Sequence, residues 1–219
     1  RAEAATALGA YLASQEPTQE DANRQFTRQV EEVLLDIINT YEEDVLVRQM
    51  AIEAYAFATD PFVDDVLRDV YESEEDEIRA SAVFAMGRRR DETWLPIVHR
   101  EMRSESEEIC LAAICAAGQI GSGSSVPHLL RVIGEDPDEG LRIAAVHALA
   151  EIEVPEANRI LEDLLESNDA AIIGAADEAL ETREERNVPD NLLMFDFSLD
   201  RGEDSQSDSS ADYKDLLGE

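Results

Sequence analysis

Apolar residues recur at helical spacing along most of the chain, in blocks that repeat. Five blocks open at Val47, Ile78, Ile109, Leu141 and Ile172, separated by 31, 31, 32 and 31 residues. Four residues after each start stands an alanine (Ala51, Ala82, Ala113, Ala145, Ala176), and seven after it another (Ala54, Ala85, Ala116, Ala148, Ala179). Positions three apart share one helical face, so each block predicts a helix with a narrow face of small side chains. Larger apolar residues flank that face (Ile52, Val83, Ile114, Val146, then Met86 and Leu149), giving a stripe too periodic for strands. A fixed period of this length predicts a solenoid in which no unit buries its apolar face alone.

A second helix is predicted in each unit, at about Pro61–Glu72, Trp94–Arg103, Ser125–Gly134 and Pro155–Ser167. Pro61, Pro96, Pro127 and Pro155 stand in or near their first turns, where a missing N–H costs little. Leu67, Val98, Leu129 and Ile160 are expected to form the shared core column of these helices. The extra residue of the 32-step is expected in the Glu135–Gly140 turn.

The runs that carry these columns read hydrophobic-Arg-x-x-Ala-x-x-Ala-hydrophobic-Gly, as in Ile78 to Gly87 and, without the arginine, Ile109 to Gly118. The pattern resembles the HEAT-repeat superfamily, in particular the short units also found in phycobilisome-lyase-like proteins. The resemblance covers most of residues 1–184 and implies an all-α fold, an α-solenoid of antiparallel helix pairs with about five units plus a terminal helix. For function it implies only a range, since such repeats serve scaffolds, nucleic-acid enzymes, hydroxylases and pigment-attachment proteins.

Arg1 to Gly9 reads as the same first-helix motif, with Arg1 on Arg48, Ala4 on Ala51 and Ala7 on Ala54. Its step is 47 residues, so a longer connector is expected through Ser14–Asn23, before a helix at about Arg24–Asn39. With no methionine before Arg1 and no polar capping helix, the expectation is a fragment of a longer protein. The domain reading is a solenoid over 1–185, a capping segment over 186–200 and an acidic flexible tail over 201–219. Leu192–Phe197 is read as a cover for the last helix, with a linear interaction motif as the alternative.

Charge narrows the partners. A formal net charge of −33 argues against a phosphate backbone, which calls for a basic surface. Much of the acidity precedes first helices (Glu74–Glu77, Glu105–Glu108, Glu135–Glu139, Asn168-Asp169), where carboxylates are expected to cap free N–H groups. A calcium-binding edge is the lesser reading, because no EF-type loop spacing occurs; salt adaptation is another. Arg48, Arg79 and Arg142 are expected to pair with acidic residues of the inter-unit turns. In Arg88-Arg89-Arg90 the flanking Asp91 and Glu92 are expected to neutralise part of the charge.

Catalytic constellations are not found in the sequence. His99, His128 and His147 fall in three helices without a shared column, and no His-Glu dipeptide of the HEAT-repeat deoxyhypusine hydroxylases occurs. His99-Arg100-Glu101 has the outline of a deaminase zinc motif but no later Cys-x-x-Cys. Cys110 and Cys115 read as free buried thiols, which points to a cytoplasmic setting; bilin attachment is the sharper alternative. Trp94 reads as packed at a unit junction or as a ligand platform.

No catalytic, cofactor or metal residue is therefore assigned, and no cofactor is expected. The leading function is a non-catalytic scaffold for a protein or peptide, with candidate partner-binding residues Arg68, Trp94, His99, Arg100, Arg103, Arg131 and Arg159 on the second helices. The alternative is a phycobilisome-lyase-like module acting on a bilin or protein substrate. Nucleic acid and membrane are not expected as partners, and self-association through exposed terminal repeats is.

If Leu192–Phe197 covers the last repeat, deletion from Asn191 onward should lower amide protection in the helix around 169–184. Each large side chain so uncovered is worth about 1.5–3 kcal/mol, and a terminal unit has no second neighbour to compensate. Deletion from Arg201 onward should leave protection unchanged. Hydrogen exchange decides: equal protection after both deletions means that the segment is not a cap.

Overall fold

A computed structural model describes residues 1–14 and 21–187. The expected cap at Leu192–Phe197, the tail over 201–219 and part of the Ser14–Asn23 connector lie outside the described residues. Eleven α-helices and no strand are found among the described residues. First helices of the units are α1 (Ala2–Ala13), α3 (Val45–Tyr55), α5 (Asp76–Arg88), α7 (Glu107–Ile120), α9 (Glu139–Glu151) and α11 (Ala170–Asn187). Second helices are α2 (Asp21–Asn39), α4 (Val63–Tyr71), α6 (Leu95–Glu101), α8 (Val126–Glu135) and α10 (Pro155–Leu164), with 3-10 turns at Glu92–Trp94 and Gly123–Ser125 leading into α6 and α8. Arg1–Thr182 forms one compact unit.

Both alanine columns are core. Ala51, Ala82, Ala113, Ala145 and Ala176 are fully buried, and the column three residues later is nearly so. What they pack against is the glycine that ends the motif. A Cβ built on Gly87 would lie 2.5 Å from Ala116 Cα, one on Gly118 3.0 Å from Ala148 Cα, and one on Gly9 2.7 Å from Ala54 Cβ. Each such glycine sits nine residues after its unit's start and touches the second alanine column of the next unit. First helices therefore approach one another backbone to backbone. The Gly9 contact also shows that α1 packs on α3 as a first helix. Ala4 and Ala7 of α1 are exposed; they lie on the face that meets the preceding first helix in later units.

The second-helix column needs one correction. Leu67, Val98 and Leu129 are fully buried, but the fourth member is Leu161, with Ile160 only half-buried. The extra residue after α8 displaces everything downstream by one, so the step from Leu129 is 32. Four second helices rest on the first helix of the following unit, α2 on α3, α4 on α5, α6 on α7 and α8 on α9, and α10 packs on α9. Pro96, Pro127 and Pro155 stand in first turns; Pro61 precedes α4.

Caps correct a second expectation. The carboxylates of Asp44, Asp138 and Asp169 accept from the N–H groups of Leu46, Leu141 and Ala171 at 3.0, 2.9 and 3.0 Å. Glu75 and Ser106, which open α5 and α7, make no side-chain cap bond. A glutamate is one methylene too long for the short reach an N-cap demands. Asp76, Glu77, Glu107 and Glu108 lie instead in first turns, where the helix dipole favours negative charge. The turns themselves are held by a column the spacing also contains. Ser73, Ser104, Asp136 and Ser167 accept from the N–H two residues on, at 3.2, 3.3, 3.0 and 3.1 Å.

Gly87→Ala should destabilise the protein by about 1–3 kcal/mol, since its new methyl meets backbone rather than a movable side-chain end. Gly174, in α11 with nothing within 4 Å of a built Cβ, gives the opposite sign. There alanine should stabilise by about 0.5–1 kcal/mol through helix propensity. Denaturant melts of the two variants check this; equal effects would mean that the first helices do not touch along this line.

Candidate functional site

Neighbouring first helices approach closely along their length; neighbouring second helices do not. The second helices meet through long side chains, and every sequence-predicted site residue except Arg159 lies on or beside these seams.

Between α4 and α6, Trp94 is fully buried, so its ring offers no ligand platform. The Arg68 guanidinium covers it at 4.7 Å from the ring centroid and also pairs with Asp65 at 3.5 Å. One turn further, the Tyr71 hydroxyl donates to Glu101, and Arg100 donates to the Tyr71 oxygen. Arg100 Nε lies 3.0 Å from Glu101 Oε1, and Arg79 reaches the same carboxylate at 3.9 Å. Burial, then the bond to Glu101, pushes the Tyr71 hydroxyl up; bonds to Tyr71 and Glu101 hold Arg100 still more firmly protonated. The outlined deaminase glutamate is thus the buried acceptor of an internal cluster. Arg100 is committed on one side and open to solvent on the other.

Between α6 and α8 the structure brings together residues that the spacing kept apart. The rings of His99 and His128 stack, with centroids 3.9 Å apart and planes 15° from parallel. They are 29 residues apart, two short of the repeat, so no column links them, yet their side chains bridge the seam diagonally. His99 Nε2 shares a hydrogen bond with Ser125 Oγ at 2.9 Å. Arg103 and Arg131 stand near His128. Arg131 donates to the Met102 carbonyl at 2.9 Å, while the exposed Arg103 makes no side-chain hydrogen bond or ion pair among the described residues. Burial and then the neighbouring His128 hold His99 below the usual histidine range; burial, then Arg103 and Arg131, do the same for His128. Arg159 is exposed on α10, apart from this group.

The motif arginines serve the fold as expected. Arg48 pairs with Glu75 at 3.0 Å, Arg79 with Asp76 at 3.3 Å and Arg142 with Asp169 at 2.9 Å. In the third unit Cys110 takes that place and bonds the Met102 carbonyl at 3.6 Å, the group Arg131 also reaches. Burial pushes the Cys110 thiol up to about 11, which removes its nucleophilic form at neutral pH. Two arginines of the triplet reach back to the preceding unit. Arg88 pairs with Glu53 at 3.5 Å, and Arg89 with Asp64 at 3.4 Å and with the carbonyls of Ala56 and Ala58. Asp91 caps the 3-10 turn through Thr93 N–H at 2.8 Å, a bond that lowers its carboxyl, and the neighbouring Arg89 lowers it further, as expected of a flanking carboxylate. Among the described residues no three metal-ligating side chains converge, and no helix is long and apolar enough to cross a membrane.

Both imidazoles have folded values below the unfolded value of about 6.5, so the unfolded chain takes up protons first as pH falls. Their contribution to stability is present above about 6.5 and is lost as pH falls through the lower folded values. An NMR titration should find both rings titrating below 6.5, and His128→Asn should move His99 back toward it. A His99 value at or above 6.5 in the wild type would overturn the reading.

Comparison with known proteins places this geometry. A description of HEAT repeats matches residues 65–142 and, overlapping, 101–181, together more than half of the chain. No curated protein matches. Among solved structures, the chain is similar to an engineered protein from a structural genomics consortium, with 19% identity and a TM-score of 0.52 over 84% of this chain and 90% of that one. It is also similar to human deoxyhypusine hydroxylase in complex with glycerol, with 16% identity and a TM-score of 0.39 over 84% of this chain and 79% of that one. With stacked helix pairs, a 31-residue period and that match, the chain is an α-solenoid belonging to the HEAT-repeat family.

Proposed function

We propose that the chain is a non-catalytic repeat scaffold that binds a protein or peptide on the face formed by its second helices, a common use of HEAT repeats. One contrast carries the reading. First helices seal against each other through alanine and glycine, whereas the second-helix seams present arginines and imidazoles that the fold does not consume. Arg103 and Arg159 are exposed and make no side-chain bond among the described residues; Arg68, Arg100, Arg131, His99 and His128 are only partly engaged. Trp94 supports this surface from beneath rather than forming part of it. The thiols do not favour the lyase-like alternative: burial, then the nearby Asp136, raises that of Cys110, and burial, then Glu151, raises that of Cys115. Free Cys110 and Cys115 fit a reducing, cytoplasmic setting.

A pool of octapeptides spanning charge patterns, titrated into labelled protein, tests the surface. Resonance shifts should cluster on α6 and α8. Shifts confined to first-helix residues such as the exposed Leu111, or no shifts with any peptide, would sink the reading.

A further inference from the structure

With Leu67, Val98, Leu129 and Leu161 as equivalent positions, the charge on the second helices follows a pattern. Two residues further on stand Asp69, Arg100, Arg131 and Asp163; five further on stand Glu72, Arg103, Gly134 and Glu166. Arg100, Arg131 and, just past the end of α6, Arg103 are basic at places where the units on either side are acidic, Gly134 being uncharged, and Asp69, Glu72, Asp163 and Glu166 are all exposed. The stacked His99 and His128 sit within the basic strip, with Arg103 and Arg131 beside them.

We propose that the α6–α8 seam binds a short acidic segment of a partner protein, Asp or Glu in about three or four successive positions, with basic residues on either side. This rests on the scaffold reading above and names the chemistry of its partner. Width sets the length. These second helices stand no closer than the about 8–10 Å of packed helices, and an extended chain advances about 3.3–3.6 Å per residue, so the seam takes at least about three or four residues. The acidic rims then meet the flanking basic residues. Carboxylates reaching the strip find the Arg103 and Arg131 guanidinium groups, and the Arg103 head has no competing partner within the described chain. A nucleic-acid strand cannot change sign where the strip ends. Its phosphates would run onto the carboxylates of α4 or α10, in the field of a protein of net charge −33.

Two peptides of identical composition and net charge separate pattern from bulk attraction: Lys-Lys-Glu-Glu-Glu-Glu-Lys-Lys and Glu-Glu-Lys-Lys-Lys-Lys-Glu-Glu. Titrated into the full chain at about 0.1 M salt, the first should bind about tenfold more tightly and shift the His99 and His128 imidazole resonances. Arg103→Glu should abolish that preference at an unchanged melting temperature, because Arg103 is exposed and holds nothing in the fold. Arg159→Glu should retain it. Equal affinity of the two peptides, a preference for the reverse order, or a thymidine octanucleotide that shifts the same imidazoles would each overturn the proposal. If neither peptide shifts the imidazoles while other octapeptides shift second-helix resonances, the acidic segment is wrong and the scaffold reading stands. If no octapeptide shifts any second-helix resonance, both fall.

Discussion

The contact between a glycine and an alanine on successive first helices is the constraint on which the rest depends. Gly9 on Ala54, Gly87 on Ala116 and Gly118 on Ala148 leave no space for a further carbon. Helices with larger residues at these points would stand apart by the length of a side chain. At these three junctions each first helix is locked against its neighbour; at the equivalent place α3 and α9 carry Ala56 and Ala150. The second helices α2, α4, α6 and α8 rest in turn on the next unit's first helix. They do not share the close approach. Between them lie seams that only long side chains can bridge, and the side chains found there are polar or aromatic: Arg68 over Trp94, Tyr71 with Glu101 and Arg100, His99 against His128.

Charge is distributed according to the same division. On the first-helix side, arginines serve the fold. Arg48 and Arg142 each reach an acidic residue of the following turn, 27 residues on, and Arg88 and Arg89 tie α5 back to the preceding unit. Such exposed or half-exposed pairs contribute little singly, so they set orientation more than stability. In a chain this acidic, a cation left without a carboxylate is conspicuous. Arg103 and Arg159 are such cations on the second helices, and Arg103 adjoins two imidazoles that burial and neighbouring charge keep neutral at pH 7.

What the sequence disclosed follows from which side chains have fixed partners. The alanine columns, the helix pairs and the Arg48 and Arg142 pairings all recur at the repeat period, and period is visible without coordinates. The Ser73, Ser104, Asp136 and Ser167 column recurs too and is equally legible in the spacing, though it runs beside the denser acidic runs. Ile160 was misplaced because two adjacent aliphatic residues, Ile160 and Leu161, satisfy the pattern, and only burial separates them. The histidine pair was hidden for a different reason. Residues 29 apart in a 31-residue repeat fall in different columns, and their contact depends on the diagonal reach of two rings across a seam. Arg88 and Arg89 likewise find carboxylates in the previous unit, Glu53 and Asp64, that no proximity in the chain marks.

This separation explains why the fold is plain and the site is not. Positions that must be small or apolar in every unit carry the architecture, and their constancy makes them silent about function. Binding chemistry can reside only where one unit is free to differ from the next. The departures here concentrate on two neighbouring units. Cys110 stands where the units opening at Val47, Ile78 and Leu141 have arginine, and Arg131 reaches the same Met102 carbonyl that Cys110 bonds. Acidic columns turn basic at Arg100, Arg103 and Arg131, and both stacked histidines lie on the same two helices. A purely structural repeat has no reason to reverse charge at exposed second-helix positions in two adjacent units and restore it in the units on either side. That local reversal, rather than the repeat itself, is the part of the chain that bears on what it binds.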